Sequence, residues 1–434
     1  MSRSIKKNDG RIILYPCLVV FTLFLLIFNN LYCFITINVL LVIILAFLTR
    51  LDIKNPVLLW TTVFVLYQIS YPILNNLGVK VFEFYSLNAD YYLFSWIATV
   101  SFLVFYGSLE NVSCTKDDIK LKTNTKFLRL LYFGLFIICT ISSLYIIVNG
   151  FHNKYELANS SDFILNLGSM AYTAIVILPV FFLLSDNMTK QEKMVVSFVT
   201  FAVALFGMFT YGERSYVFNY LLIMLICYFV FKKITVKKLL VVGIGIIVFF
   251  SVSSSLKMVL ANNTYVDSDA EQNIIVAFLD SDFASAGFNF NYLLNNDAGS
   301  ILKGRSYVYD FLSPVDGVVD LKKYSSTMWY TDQYWKTRKT GLGFSMIGEG
   351  YANFGIFGIV LQMLIIARLI KFFYLRSNRN GYYFVIYVGL MALSLYSCRQ
   401  ALGNIISPWV KYYIVMTVAV YFMNRVVLKE KTSI

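Results

Sequence analysis

Apolar runs separated by short polar, basic connections dominate the chain, and they recur at membrane length rather than at the period of a half-buried strand or surface helix. A helix needs about 20 apolar residues to cross a bilayer. On that measure the pattern predicts twelve spans near 12–28, 31–49, 57–74, 91–109, 128–148, 163–185, 194–211, 215–231, 239–256, 353–373, 381–397 and 409–425. The predicted organisation is helices one to nine in residues 1–256, a large extracytoplasmic loop in 257–342, and helices ten to twelve in 343–434. Inside the loop, Ile274 to Leu294 repeats apolar residues at helical spacing, which predicts an amphipathic helix lying on the membrane surface.

Composition agrees with this reading. The chain of 434 residues is 58% hydrophobic and 14% charged, which excludes a soluble globular domain. The fold class expected is an all-α polytopic membrane protein. A formal charge of +13 would suit a nucleic-acid partner if it lay on one face. Instead the basic residues sit in short clusters between spans: the N-terminus, Arg50 with Lys54, Lys116 to Arg129, Lys190 with Lys193, Lys232 to Lys238, Arg368 to Arg379, and the tail with Arg425. These clusters fall on alternate connections, so the positive-inside rule places both termini in the cytoplasm and the long loop outside. The partner expected is the lipid bilayer, with no nucleic acid.

The first apolar run follows Arg3, Lys6, Lys7 and Arg11 as a signal peptide would, but no small-residue cleavage site follows, and a retained first helix is expected. Six cysteines without a CxxC and a single histidine, His152, suggest neither a disulfide framework nor a metal site. No GxGxxG or Walker loop is present, so no nucleotide cofactor is expected.

Polar residues that should be costly near a membrane gather on the expected outer side. Glu349 lies in a glycine-rich approach, GLGFSMIGEGYANFG, that runs into the tenth span, with Ser345 and Asn353 on the same helical stripe and Gly348 and Gly355 leaving room for close backbone approach. An interfacial carboxylate suggests function, with helix packing as the alternative. Arg214 follows Glu213 in the hairpin between spans seven and eight, Arg399 stands at the mouth of span eleven, and Arg305 lies in the loop. A guanidinium fork fits phosphate oxygens in bidentate fashion. For Arg214 the alternatives are pairing with Glu213 or snorkelling to headgroups. Trp329, Tyr330, Tyr334 and Trp335 are aromatics for an interfacial belt or for stacking on sugar rings.

Taken together, Gly212-Glu213-Arg214 at an outer helix start, the large late loop, and the segment with Gly341, Gly343, Ser345, Glu349, Asn353, Phe354, Gly355 and Gly358 resemble the oligosaccharide repeat-unit polymerases of the O-antigen polymerase (Wzy) superfamily. The resemblance implies a metal-independent membrane glycosyltransferase of the C-type fold in the bacterial cytoplasmic (inner) membrane. Its substrate would be an undecaprenyl diphosphate-linked oligosaccharide, and a flippase and a chain-length regulator would be its partners. In that reading Arg214, Arg399 and Arg305 bind the diphosphate, while Trp329, Tyr330, Trp335 and Asn353 meet the glycan. Glu349 is then the base that takes the acceptor hydroxyl's proton, with Asp310, Asp316 and Asp332 as alternatives. A lipid-linked oligosaccharide flippase is the competing class, but it would carry ionisable residues along several mid-membrane helices. An O-antigen ligase shares the architecture and differs in its acceptor.

Overall fold

The computed structural model describes residues 10–52, 55–79, 81, 86–109, 118–151, 157, 162–231, 245, 276, 278–279, 283–315, 321–335 and 344–432. Among these the protein is helical, with one isolated bridge between Leu121 and Ser185. The chain runs through α1 (Arg11–Ile27), α2 (Leu31–Leu48), α3 (Pro56–Asn76), α4 (Tyr91–Tyr106), α5 (Thr125–Val148), α6 (Phe163–Ile175), α7 (Leu178–Leu184), α8 (Lys190–Tyr211) and α9 (Ser215–Phe231). Three loop helices follow, α10 (Ala284–Asn295), α11 (Arg305–Leu312) and α12 (Ser326–Tyr334). The last group is α13 (Met346–Ser377), α14 (Gly381–Tyr396), the short α15 (Gly403–Pro408), a π-helical turn at Trp409–Ile414, and α16 (Val415–Thr432).

Eight of these helical stretches are long and apolar enough to cross a membrane, and Arg11–Ile27, Tyr91–Tyr106 and Ser215–Phe231 are shorter apolar helices. They coincide with every expected span except that at 239–256, of which only residue 245 is among the described residues. The protein is an all-α, multi-pass membrane protein. Small polar side chains set where helices begin: Asn30, Asn55, Asn124, Asp162 and Asn380 each accept a backbone N–H of the first turn, and Thr189 with Glu192 forms a capping box.

Burial separates centre from rim. The apolar windows of Pro56–Asn76 and Gly381–Arg399 are 72% and 83% buried, against 22% for Thr125–Val148. On α1, α2, α5 and α8 large apolar side chains such as Leu23, Ile43, Leu130 and Phe198 face outward, as a lipid-facing rim requires.

Two features depart from the sequence pattern. First, α10 is not a surface helix with a wet polar face. Its Asn289 and Asn291 are fully buried: Tyr330 Oη donates to Asn289 at 3.0 Å, and Asn291 accepts from the Asn88 N–H at 2.8 Å while its Nδ2 reaches the Ser86 carbonyl at 3.1 Å. Loops close over the polar stripe, and Gly287 lets α10 lie against α3 and α4: a Cβ there would stand 2.6 Å from Tyr71 and Tyr91. Second, α13 is not straight. Phe354 (φ −144°, ψ 27°) and Gly355 (φ 60°, ψ −138°) are non-helical, and the backbones of Gly350 and Gly358 touch, so that a Cβ on Gly350 would sit 2.8 Å from the Gly358 carbonyl carbon. A straight helix would hold positions eight apart about 12 Å from each other. The chain therefore folds back at Phe354–Gly355, and the close approach is between Gly350 and Gly358 rather than at Gly348 and Gly355. Gly355 supplies the positive φ that the reversal needs.

Candidate active site

The fold-back builds a polar node inside an apolar bundle. Ser345 caps Met346–Asn353 by accepting the Gly348 N–H at 3.2 Å, and Glu349 occupies the first turn, where the positive end of the helix dipole favours a carboxylate. Glu349 is completely buried. Four donors converge on it. Ser306 and Ser326 hydroxyls donate to Oε1 at 2.9 and 2.6 Å, while Gln362 Nε2 and the Leu402 N–H donate to Oε2 at 3.0 and 2.6 Å. An ionised carboxylate offers about four lone-pair sites, and a site can be shared between two donors, so this set supports the charge without closing it to a further donor. A buried charge without such partners would cost several kcal/mol.

The donors come from four places in the chain: α11, α12, the returning limb of α13, and the turn ahead of α15. Asn353 ties two of them together, its Nδ2 donating to Ser306 Oγ at 2.7 Å and to the Glu349 carbonyl at 2.9 Å. Tyr307 adds a hydroxyl to the Gly358 carbonyl at 3.1 Å and to Gln362 Oε1 at 3.2 Å. The loop backbone also docks on the fold-back, with Ser300 and Leu302 N–H groups donating to the carbonyls of Tyr351 and Ala352 at 3.0 and 2.8 Å.

Beside Glu349 lies a second carboxyl, Asp310, which is also fully buried. Burial, followed by the neighbouring Glu349, pushes its carboxyl well above the usual range, while the Gly403 backbone N–H pulls the other way. Gly403 leaves the room that Asp310 occupies, since a Cβ there would stand 2.6 Å from Asp310 Oδ1 and the carboxyl would have to shift.

The arginines flank this node. Arg399 is half-buried in the turn that delivers Leu402, its carbonyl accepts the Phe344 N–H at 2.9 Å, and its guanidinium donates to the Tyr396 hydroxyl. Arg214, also half-buried, begins α9, and the ring of Phe218 one turn on packs on Tyr396 with centroids 5.0 Å apart. The elements bearing these two arginines thus meet at one end of the bundle. Arg305 is exposed, adjacent to Ser306.

Among the aromatic candidates, Tyr330 and Trp335 are buried packing residues, Tyr330 against Phe344 at 5.1 Å and Trp335 against Tyr292 at 5.1 Å; Trp329 is half-buried. Asp332 is exposed, and Asp316, Gly341, Gly343 and His152 lie outside the described residues. Sequence reasoning did not single out Ser306, Ser326, Gln362 or the Leu402 N–H. Gln362 carried a signal, as the one polar side chain in the apolar run from Ile356 to Ala367. Among the described residues no group of three or more His, Cys, Asp or Glu is arranged to hold a metal.

The model of the O-antigen polysaccharide polymerase Wzy family matches residues 11–431, nearly the whole chain. The chain belongs to that family. Wzy proteins are polymerases that act on lipid-linked oligosaccharide repeat units in a membrane, and the function of this chain is that of a repeat-unit polymerase. No curated protein and no solved structure matches it. The glycine-rich segment through Glu349, Asn353 and Gly358 in this Wzy chain is the fold-back, and the late loop is the source of two of the four donors to its carboxylate.

Proposed function

We propose that this Wzy protein polymerises undecaprenyl diphosphate-linked repeat units at the outer face of the bacterial cytoplasmic membrane, with twelve spans, both termini in the cytoplasm, and Glu349 at the reacting centre. The acceptor sugar's oxygen attacks the anomeric carbon of the growing glycan, the bond from that carbon to the diphosphate breaks, and the electron pair leaves with the diphosphate. Arg214 and Arg399, with Arg305 from the loop, hold that departing charge. The hydroxyl proton passes to Glu349. No metal ion is required, because guanidinium groups meet the charge that develops. A flippase that delivers the units and a chain-length regulator are the partners this activity calls for.

The observation that carries the reading is the placement of Glu349 between the turns that bear Arg399 and Arg305, each within three residues of a donor to its carboxylate. Oε1 is the reactive oxygen in this scheme, because both its donors are hydroxyls, and an acceptor sugar hydroxyl can replace either. Asn353 stands next to that position, and Trp329 is the partly open aromatic for the glycan. Tyr330 and Trp335 act behind it by holding α12 in place.

A second reading is favoured by the completeness of the donor set: Glu349 organises the site, and of the two described alternatives for the base, Asp310 and Asp332, Asp310 is fully buried and Asp332 is exposed. Chain extension by purified Glu349→Gln and Asp332→Asn, normalised to folded protein, separates the two. Loss in the first with retention in the second supports Glu349 as the base, and the reverse supports Asp332.

A further inference from the structure

Asp310 takes no part in the chemistry above, yet it is the least satisfied group in the site. Neither of its oxygens has a hydrogen-bond partner of normal geometry as a carboxylate, although its side chain is fully buried and adjacent to Glu349 and the Gly403 N–H. Two ionised carboxylates are both acceptors and cannot bond to each other, and a pair of like charges this close in a dry site is strongly disfavoured. Glu349 is the member placed to accept, because four donors already point at it, two of which, the Gln362 amide and the Leu402 N–H, supply N–H groups to Oε2.

We propose that Asp310 is held as the neutral acid and donates its proton to Glu349, so that the two carboxyls carry one charge between them and latch α11 and α15 onto the fold-back. Asp310 is a positioning residue: the catalytic consequence rests on Glu349 being the reactive carboxylate, whereas the pairing does not. The other groups around it cannot replace the latch. On its own helix, Arg305 is exposed, Tyr309 is half-buried, and Tyr307 is turned to Gly358 and Gln362; α15 and the turn Ser313–Val315 carry no titratable side chain; and Lys323 and Tyr324 on the packed turn are exposed. Burial also keeps the Tyr307 hydroxyl neutral.

The sign of the pH dependence follows. An ordinary aspartate in the unfolded chain titrates near pH 4, roughly. Since folding raises the value for Asp310, its contribution to stability is complete below that pH and is lost as pH rises through the folded value, where a second charge enters the pair. Asp310→Asn keeps a donor for Glu349 and an acceptor for the Gly403 N–H without a titration. Asp310→Leu keeps neither.

The test uses the full chain purified in detergent or nanodiscs, following thermal unfolding and chain extension against pH, together with the infrared C=O band of a protonated, hydrogen-bonded carboxylic acid. The wild type should show that band at neutral pH and lose stability and activity towards alkaline pH. Asp310→Asn should lack the band, flatten the alkaline loss in both readouts, and support extension where Asp310→Leu does not. No protonated-acid band in the wild type at neutral pH, a measurement that needs no variant, overturns the pairing. So does an alkaline loss unchanged in Asp310→Asn. If the band and the stability change appear as expected but activity does not follow the pair, the pairing stands and Glu349 is not the base.

Discussion

Gln362 reaches back 13 residues to donate its Nε2 to Oε2 of Glu349 at 3.0 Å, a contact that exists only because the helix reverses between them. Removing it leaves the Leu402 N–H as the sole donor of normal geometry to that oxygen among those described. Gln362→Leu should lower stability by roughly 1–3 kcal/mol, the usual cost of depriving a buried charged acceptor of a partner, and should reduce polymer with it. Gln362→Glu should be worse, because it places another acid against Glu349. Thermal unfolding of the purified variants checks the order; an unchanged midpoint for Gln362→Leu would contradict it.

The reversal itself depends on two glycines whose backbones touch. A methyl at Gly358 meets the Gly350 carbonyl, and one at Gly350 meets the Gly358 backbone at 2.8 Å, with no flexible side chain to yield. Gly358→Ala should destabilise by about 1–3 kcal/mol through overpacking, and Gly355→Ala should add strain at positive φ. Gly134→Ala, with open space around it, is the control and should be neutral. Folded yield and thermal midpoint of the three variants decide it.

Much of the fold was legible because membrane crossing imposes one strong constraint: backbone groups must be satisfied within apolar helices. That constraint located helices such as Leu31–Leu48 and Gly381–Tyr396 closely. It says nothing about how a span is bent, so Met346–Ser377 read as a single run although Gly350, Gly355 and Gly358 held the information for its reversal. The site was legible in part. Glu349 and Asn353 stood out as polar residues in a costly place, and the structure joins them. Ser306 and Ser326 did not, since serines in a hydrophilic loop carry no signal until tertiary packing aims them at one oxygen. The same packing buries Tyr330 and Trp335, whose aromatic character alone could not tell a sugar platform from a core.

The arginines offer a chemical test. Arg399→Ala and Arg214→Ala should stop polymerisation while single repeat units accumulate on lipid, and lysine should rescue poorly because it lacks the two-pronged guanidinium. Arg305, exposed and on the loop, should show a smaller defect. Polymer profiles on gels, at matched protein levels, read this out. Normal chain lengths in both alanine variants would remove these residues from the diphosphate site.

Topology is tested apart from chemistry. Reporter fusions after Lys120 and Arg376 should report cytoplasm, and a fusion near Asp297 should report the outer side, as the alternation of basic connections requires. A cytoplasmic signal at Asp297 would put the Glu349 node on the wrong side for an outer-leaflet reaction.

The most direct measurement is in vitro chain extension by Glu349→Gln. Glutamine can be accommodated without breaking the node: its Oε1 can accept from the Leu402 N–H and Gln362, while its amide faces Ser306 and Ser326, whose hydroxyls can rotate to accept. The variant should therefore fold with a thermal midpoint close to wild type, and its turnover should fall by roughly two to four orders of magnitude, the usual worth of a general base. Near-normal turnover in well-folded Glu349→Gln would contradict the account, leaving Glu349 as the organiser of the site and another group as the base.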